Sequence, residues 1–280
     1  METRGHGDTE KRRVGDAGMR ERKKARILLT NDDGILAEGL YALYQGLRDV
    51  AELIVVAPRG ERSACSHSIT LSDPLKIETI NRDGQFYGYG ISGTPVDCVK
   101  LAVSAILESG PDMVISGINW GLNTGVHILY SGTVSAAAEA AMLGIPAMAV
   151  SLAPVDPAHF TPCAQFVRKL ALTVLEQGLP SGTLLNINVP SFKGDQVPEV
   201  AITKQARCSL RDCFHRRTDP RNNVYYWLAN EEMIPEEEEG GDVETVLQGK
   251  ISITPIRLDL TDHQFMDELR AWPILDLGKK

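Results

Sequence analysis

An α/β fold with a doubly wound, mostly parallel sheet is predicted by this sequence on three observations. Five short runs are largely apolar, with polar residues mostly at their ends: Arg26-Ile-Leu-Leu-Thr30, Leu53-Ile-Val-Val-Ala57, Asp112-Met-Val-Ile-Ser116, Ala147-Met-Ala-Val-Ser151 and Leu184-Leu-Asn-Ile-Asn188. Between them lie segments with helical spacing. The strand-like runs end in loops rich in Gly, Ser and Asn. Strands apolar on both faces need helices above and below, which a parallel sheet with crossover helices provides.

Residues 26–30 read as the first strand, and residues 39–47 as an amphipathic helix. Pro58 stops the second strand, because proline cannot donate to a sheet ladder. Residues 95–108 have helical spacing and lead into the third strand. The Ala-rich stretch 131–143 predicts a helix before the fourth strand, and residues 160–177 predict another before the fifth. Residues 192–250 are less regular, with a polar hinge and an acidic loop, Glu236 to Glu239. Ile251-Ser-Ile-Thr-Pro255 resembles an added strand, and a final helix ends at Leu269 to Trp272. Residues 192–280 are expected to form an extension used for contacts between copies of the chain. No internal repeat is present.

Residues 1–25 form a polar basic segment without hydrophobic periodicity, expected to be a disordered tail before a single domain over 26–280. Residues 1–26 hold nine Lys/Arg against five acids, a net of +4, so the rest carries −12 of the total −8. An acidic body argues against binding a nucleic-acid polymer. A start at Met19 would leave only a few residues before the first strand. No apolar run reaches the ~20 residues that cross a bilayer, and no secretory signal precedes the body. Neither membrane nor export is therefore expected, and the compartment is cytoplasmic by default. Cys65, Cys98, Cys163, Cys208 and Cys213 are odd in number and widely spaced, which fits neither a zinc site nor a disulfide framework.

Asn31-Asp32-Asp33-Gly34 follows the first strand directly. Two adjacent carboxylates at a strand's carboxyl end repel each other unless a cation joins them. Oxygen ligands suit a hard divalent ion such as Mg²⁺ or Mn²⁺. The plainer reading is a turn in which Asp32 caps the next helix. Ligands of doubly wound sheets bind beyond the carboxyl ends of the strands, and three further loops there carry small polar residues. These are the loop through Ser63, the loop from Ser116 through Asn119 and Asn123, and the turn Ser131-Gly132-Thr133. Ser63 and Asn119 offer neutral oxygens that complete a metal shell beside Asp32 and Asp33. Ser131, Gly132 and Thr133, at a helix N-terminus, offer an anion site, with Asn123 beside it.

That set suits transfer of a phosphoryl group to water, with Asp32 and Asp33 catalytic. Asp32 serves as ligand and base or as a direct nucleophile, two roles the sequence does not separate. His67, His127 and the basic patch of Arg211, His215, Arg216, Arg217 and Arg221 lie nearby in sequence or offer charge, but solvated surface is the simpler reading of each. Tyr225, Tyr226 and Trp227 form a β-prone run suited to packing.

The run Ile-Leu-Leu-Thr-Asn-Asp-Asp-Gly, with Val-Val-Ala-Pro and Arg62-Ser63, resembles the SurE family of 5′/3′-nucleotidases. So do Gly93-Thr94-Pro95-Val-Asp97-Cys98, Ser116-Gly-Ile-Asn119, Tyr130-Ser-Gly-Thr133, Asn186-Ile-Asn188-Val-Pro190 and Ser252-Ile-Thr-Pro255. The ordered match runs from about Arg26 to Trp272. It implies one divalent metal per subunit, held by Asp32, Asp33, Ser63 and Asn119, with phosphate contacts from Asn123 and Ser131 to Thr133. It also implies hydrolysis of nucleoside monophosphates, sometimes of polyphosphate, by a homodimer or homotetramer that exchanges C-terminal segments. The chain departs from the family pattern at Leu36, Glu38, Arg59-Gly-Glu61 and the loop around His127, which bear on base preference.

Three other readings compete. A phosphoacceptor receiver domain is shorter and needs an Asp where Ser116-Gly-Ile-Asn119 stands. A Rossmann dehydrogenase needs a GxGxxG after the first strand. A nucleotide-binding or scaffold protein without turnover would keep the fold, but every proposed ligand is retained here.

Overall fold

The computed structural model of the chain describes residues 24–154, 157–192, 194, 198–236 and 239–276. It opens with β1 (Ala25–Thr30), α1 (Glu38–Leu47) and β2 (Ala51–Pro58), then a hairpin of β3 (Ile77–Arg82) and β4 (Gln85–Ile91). α2 (Pro95–Leu101) passes through a wider turn, Ala102–Ile106, into β5 (Met113–Trp120). α3 (Gly132–Met142), β6 (Ala147–Leu152), α4 (Phe160–Gln177) and β7 (Thr183–Val189) complete the regular alternation. Then come β8 (Val200–Ile202), β9 (Cys208–Thr218), β10 (Val224–Pro235), α5 (Asp242–Leu247), β11 (Ile251–Arg257) and α6 (His263–Arg270).

Among the described residues, one sheet has the order β3-β4-β2-β1-β5-β6-β7-β11-β8. All pairings from β4 through β7 are parallel. β3 and β11 run antiparallel to β4 and β7 at the flanks. The expected doubly wound, mostly parallel sheet is therefore present, and its faces follow from side-chain alternation. Ile27, Leu29, Met113, Ile115, Met148 and Val150 pack with Leu40, Leu43, Leu47 and Val167 of α1 and α4. Leu28, Val56, Val114, Ala147 and Ala149 point the other way, onto α2 and α3. Neighbours along a strand take opposite faces, so a run buried on both must be apolar at every position. Most of these side chains are fully buried, each worth about 1.5–3 kcal/mol of transfer energy. The alanines of α3 let that helix lie close to Ala147 and Ala149.

Three regions differ from expectation. Residues 77–91, not read as regular, form the β3–β4 hairpin. Its two-residue turn, Asp83-Gly84, has both φ values positive at 53° and 76°, the geometry that Asp-Gly favours between twisted strands. The helix expected over 95–108 stops at Leu101 and widens before Leu107. Residues 208–235, expected to be irregular, form the long antiparallel hairpin of β9 and β10, a sheet of its own that contains Tyr225, Tyr226 and Trp227. The basic tail lies outside the described residues except for Lys24 and Ala25, as do Glu237 and Glu238 of the acidic loop. Among the described residues no helix is long and apolar enough to cross a membrane.

Candidate active site

The sheet's connections reverse direction at β1. The chain builds β2 and β4 on one side of that strand and β5, β6 and β7 on the other. This leaves a crevice at the carboxyl ends of β1 and β5, where no crossover helix covers the edge. Asp32 and Asp33 follow β1 there, and Asn119 lies in the last turn of the pleat of β5. A cleft of about 820 Å³ opens over them, lined by Asp32, Asp33, Ser63, Asn119, Asn123 and Ser131 among others. Six of the eight predicted site residues thus share one cavity. A second cleft of about 520 Å³, between α1 and α4, holds none of them.

The local sequence explains how the carboxylates are presented. Asn31 closes the turn on itself: its Oδ1 accepts the Gly34 N–H at 3.2 Å and its Nδ2 donates to the Gly34 carbonyl at 2.9 Å. Gly34 sits at φ +103°, open to glycine and strained for other residues. α1 is capped by Ala37 without any side-chain bond, so the plainer reading of Asp32 as a helix cap does not hold. Both Asp residues border the crevice.

Asp32 is only 4% exposed. Burial pushes its carboxyl above the ordinary value, while hydrogen bonds from Thr133 and the backbone oppose that rise. Thr133 donates its hydroxyl to Oδ1 and its N–H, at 3.1 Å, to Oδ2. Gly132 and Thr133, expected to hold phosphate oxygens, lie against Asp32, and Thr133 donates to its carboxylate. The positive end of α3 faces a carboxylate of the protein itself. A Cβ on Gly132 would stand 2.8 Å from that of Asp32, so glycine is required for this approach. Asp33 is half-buried. Burial, then the charge of Asp32, pushes its carboxyl up to about 6, with Glu61 adding to the rise and the Trp120 N–H, at 3.4 Å, opposing it.

The neutral groups are equally constrained. The Ser63 hydroxyl donates to Glu61 at 2.7 Å, which leaves its lone pairs for another partner. Asn119 donates its Nδ2 to the Gly121 carbonyl at 2.8 Å, so the amide is fixed and its oxygen remains. Asn123 is caged. Its N–H donates to Asn188 Oδ1 at 2.7 Å, its Nδ2 to Ser151 at 2.8 Å, and its carbonyl accepts from Asn186 and Asn188. The polar residues of β6 and β7 thereby hold a loop that begins at β5. Ser131 caps α3 by accepting the Val134 N–H at 3.1 Å, so its hydroxyl proton is free to donate.

Several lining positions escaped the sequence reading. Trp120, Leu122, Leu228 and Asp212 also line the cleft, beside Glu61 of the Arg59-Gly-Glu61 departure. Nothing local singles out Asp212 or Leu228, which the β9–β10 hairpin brings from far along the chain. Glu139 is a buried acid in an otherwise Ala-rich helix, a signal that was available. It binds His67 and Lys100, each at 2.9 Å, and so anchors the loop that carries Ser63. The same loop is pinned by Asp97, which takes the Thr70 N–H and hydroxyl at 3.0 and 2.6 Å while closing a capping box with Thr94. His67 therefore points to Glu139, whereas His127 lines the cleft. Asp242 accepts N–H groups of Gly125, Ala206 and Val243 and ties the segment after Asn123 to the base of the hairpin.

The donor set fits a hard divalent cation. It holds two carboxylates whose pKa values are both raised by burial and, for Asp33, by repulsion, beside two oriented neutral oxygens. Among the described residues no group of three or more His, Cys, Asp and Glu is arranged for a metal.

The family model described as survival protein SurE matches residues 27–212. A protein of Syntrophobacter fumaroxidans named 5′-nucleotidase SurE is 45% identical over 247 residues, covering 88% of this chain and 99% of its own length. One of the same name from Syntrophus aciditrophicus is 46% identical over 247 residues, covering 88% and 93%. The crystal structure of a SurE protein from Aquifex aeolicus superposes with a TM-score of 0.76 at 36% identity, covering 90% of this chain and 99% of that one. With near-complete coverage in sequence and in structure, this chain belongs to the SurE family.

Proposed function

We propose that this chain is a metal-dependent phosphatase that hydrolyses nucleoside 5′-monophosphates to nucleoside and phosphate. The observation that carries the reading is the carboxylate pair at the sheet's switch point, held in one cleft with oriented neutral oxygens. The relatives' shared name, 5′-nucleotidase SurE, supports the substrate class. Asp32, Asp33, Ser63 and Asn119 would hold one Mg²⁺ or Mn²⁺ ion. When bound, that ion polarises a phosphoryl oxygen and acidifies a water.

The protein groups supply the remaining work. Asn123 and Ser131 orient the phosphoryl oxygens through an amide N–H and a hydroxyl. The N–H and hydroxyl of Thr133 oppose the rise that burial imposes on the Asp32 carboxyl. Both Asp32 oxygens already accept from Thr133, and the carboxyl is almost fully covered. That supports ligand and proton acceptor over nucleophile. A bond forms from the water oxygen to phosphorus, the bond from phosphorus to the 5′-oxygen breaks, and the leaving oxygen takes a proton, for which His127 lines the cleft.

The same chemistry extends to 3′-monophosphates and polyphosphate. A homodimer or homotetramer is the expected assembly, and the exposed Phe214, Tyr226, Trp227 and Leu228 of the hairpin support it. Five free cysteines fit a reducing, cytoplasmic compartment.

The test is phosphate release from AMP, GMP, CMP, a 3′-nucleotide and polyphosphate with Mg²⁺, Mn²⁺ or EDTA, beside Asp32→Asn. Release that needs metal and is abolished by the substitution is the expected result. Folded protein that binds metal yet releases nothing would leave the binding or scaffold reading in its place.

A further inference from the structure

The cleft is much larger than a phosphate needs. At about 820 Å³ it falls in the range of pockets that enclose a whole small ligand, about 300–1,000 Å³. Asp32, Asp33, Ser63, Asn119, Asn123 and Ser131, together with Glu61, His127 and Asp212, supply its polar lining. Beyond them the wall turns apolar, with Trp120, Leu122, Tyr130 and Leu228. Whatever ester is hydrolysed here carries a leaving group that this wall meets.

Trp120 differs from an ordinary surface tryptophan in two ways. Its backbone N–H donates to Asp33, which fixes the residue one position from Asn119 and beside the carboxylates. Its ring rests on Phe160, with centroids 5.3 Å apart and planes at 51°, and Phe160 is itself buried. The indole is nevertheless 41% exposed and borders the cleft. An aromatic ring buttressed from one side and open on the other loses little freedom when a flat partner settles on it. Stacking is indifferent to the hydrogen-bond pattern of the partner, so such a platform accepts any base and favours the larger purine face.

We propose that Trp120 is the platform on which the nucleobase of the substrate stacks, and that it sets preference for nucleotides over phosphate esters without an aromatic ring. This rests on the nucleotidase reading and names the part of the cleft that recognises the base. Trp120 is here a specificity residue and takes no part in bond breaking.

Three variants test it: Trp120→Phe keeps a π-face, Trp120→Leu keeps apolar bulk without one, and Trp120→Ala removes both. The readout is kcat/KM for AMP and CMP, together with fluorescence of Trp120 in a Trp227→Phe/Trp272→Phe background on addition of adenosine or ribose. Leu and Ala are expected to lower kcat/KM for AMP about tenfold, mostly through KM, with Phe restoring most of it and CMP losing less. Adenosine is expected to quench the Trp120 emission and ribose to leave it unchanged. If Leu and Phe match the unsubstituted protein, or if adenosine leaves the emission unchanged, the platform is refuted while nucleotide hydrolysis stands. If the unsubstituted protein releases no phosphate from any nucleotide, the nucleotidase reading itself has failed; quenching by adenosine then decides the platform separately.

Discussion

Replacing Asp33 by asparagine is expected to stabilise the metal-free protein at neutral pH while removing its response to a divalent cation. In the folded chain the Asp33 carboxyl is pushed from its ordinary 3.8 up to about 6, first by burial and then by Asp32. A folded pKa above the unfolded one means that the native state binds the extra proton between those two values. Stability is therefore lost as pH rises from about 4 to about 6, and the cost persists above. At about 1.4 kcal/mol per pH unit the displacement corresponds to about 3 kcal/mol. Asp33 is only half-buried, and solvent screening lowers the figure to about 1–2 kcal/mol. For a chain of this length that is about 2–4 °C in melting temperature. Asparagine keeps the shape and removes the charge, so at pH 8 in EDTA the variant should melt higher by that amount. At pH 4 most of the difference should be gone, because Asp33 is then protonated in the folded state, while the unfolded chain is near its ordinary 3.8. Mg²⁺ or Mn²⁺ should raise the melting point of the parent and leave the variant nearly unchanged, since only a native state that binds the ion gains from it. Thermal melts from pH 4 to 8, with and without metal, measure all of this. A variant that melts no higher at pH 8, or that shows the same difference at pH 4, would refute the raised Asp33 carboxyl and the burial and repulsion behind it.

Other substitutions probe the supports of the site. Gly132→Ala should displace Asp32, since the new Cβ would meet its Cβ at 2.8 Å, and should cut kcat by at least about 10²-fold with the fold retained by circular dichroism. Asp242→Ala leaves three buried N–H groups without an acceptor. It should cost about 3 kcal/mol or more, read as a fall in denaturation midpoint. Glu139→Gln weakens the anchor of the Ser63 loop. Burial raises the Glu139 carboxyl, but the bonds from His67 and Lys100 outweigh it and hold it below 4.5. Its contribution is thus present above that pH and lost on acidification below it, so melts of parent and variant should converge toward acid.

The parallel core was legible because a strand buried on both faces leaves a trace no other element leaves: apolar residues at every position. Ile27, Leu28 and Leu29 show it, and the structure sends alternate members to opposite helix layers. The carboxylate pair was legible for a similar reason, since its place at a strand end is a local fact. The β3–β4 hairpin also carried a local sign, Asp83-Gly84, that went unread. The β9–β10 hairpin carried only the β-prone run Tyr225, Tyr226 and Trp227, because its strands are largely exposed on both faces and lack alternation.

By itself, the sequence determined the layered α/β fold, the order of its strand-like runs and the residues that meet at the carboxyl edge of the sheet. These depend on short-range periodicity and on turns a few residues long. Tertiary structure alone decided what each of those residues faces. It set Thr133 against Asp32, caged Asn123 with Asn186 and Asn188, and brought Asp212 and Leu228 to the cleft wall. Such pairings join positions as much as 101 residues apart. Their hydrogen bonds and repulsions depend on burial and distance, which exist only once the chain has folded.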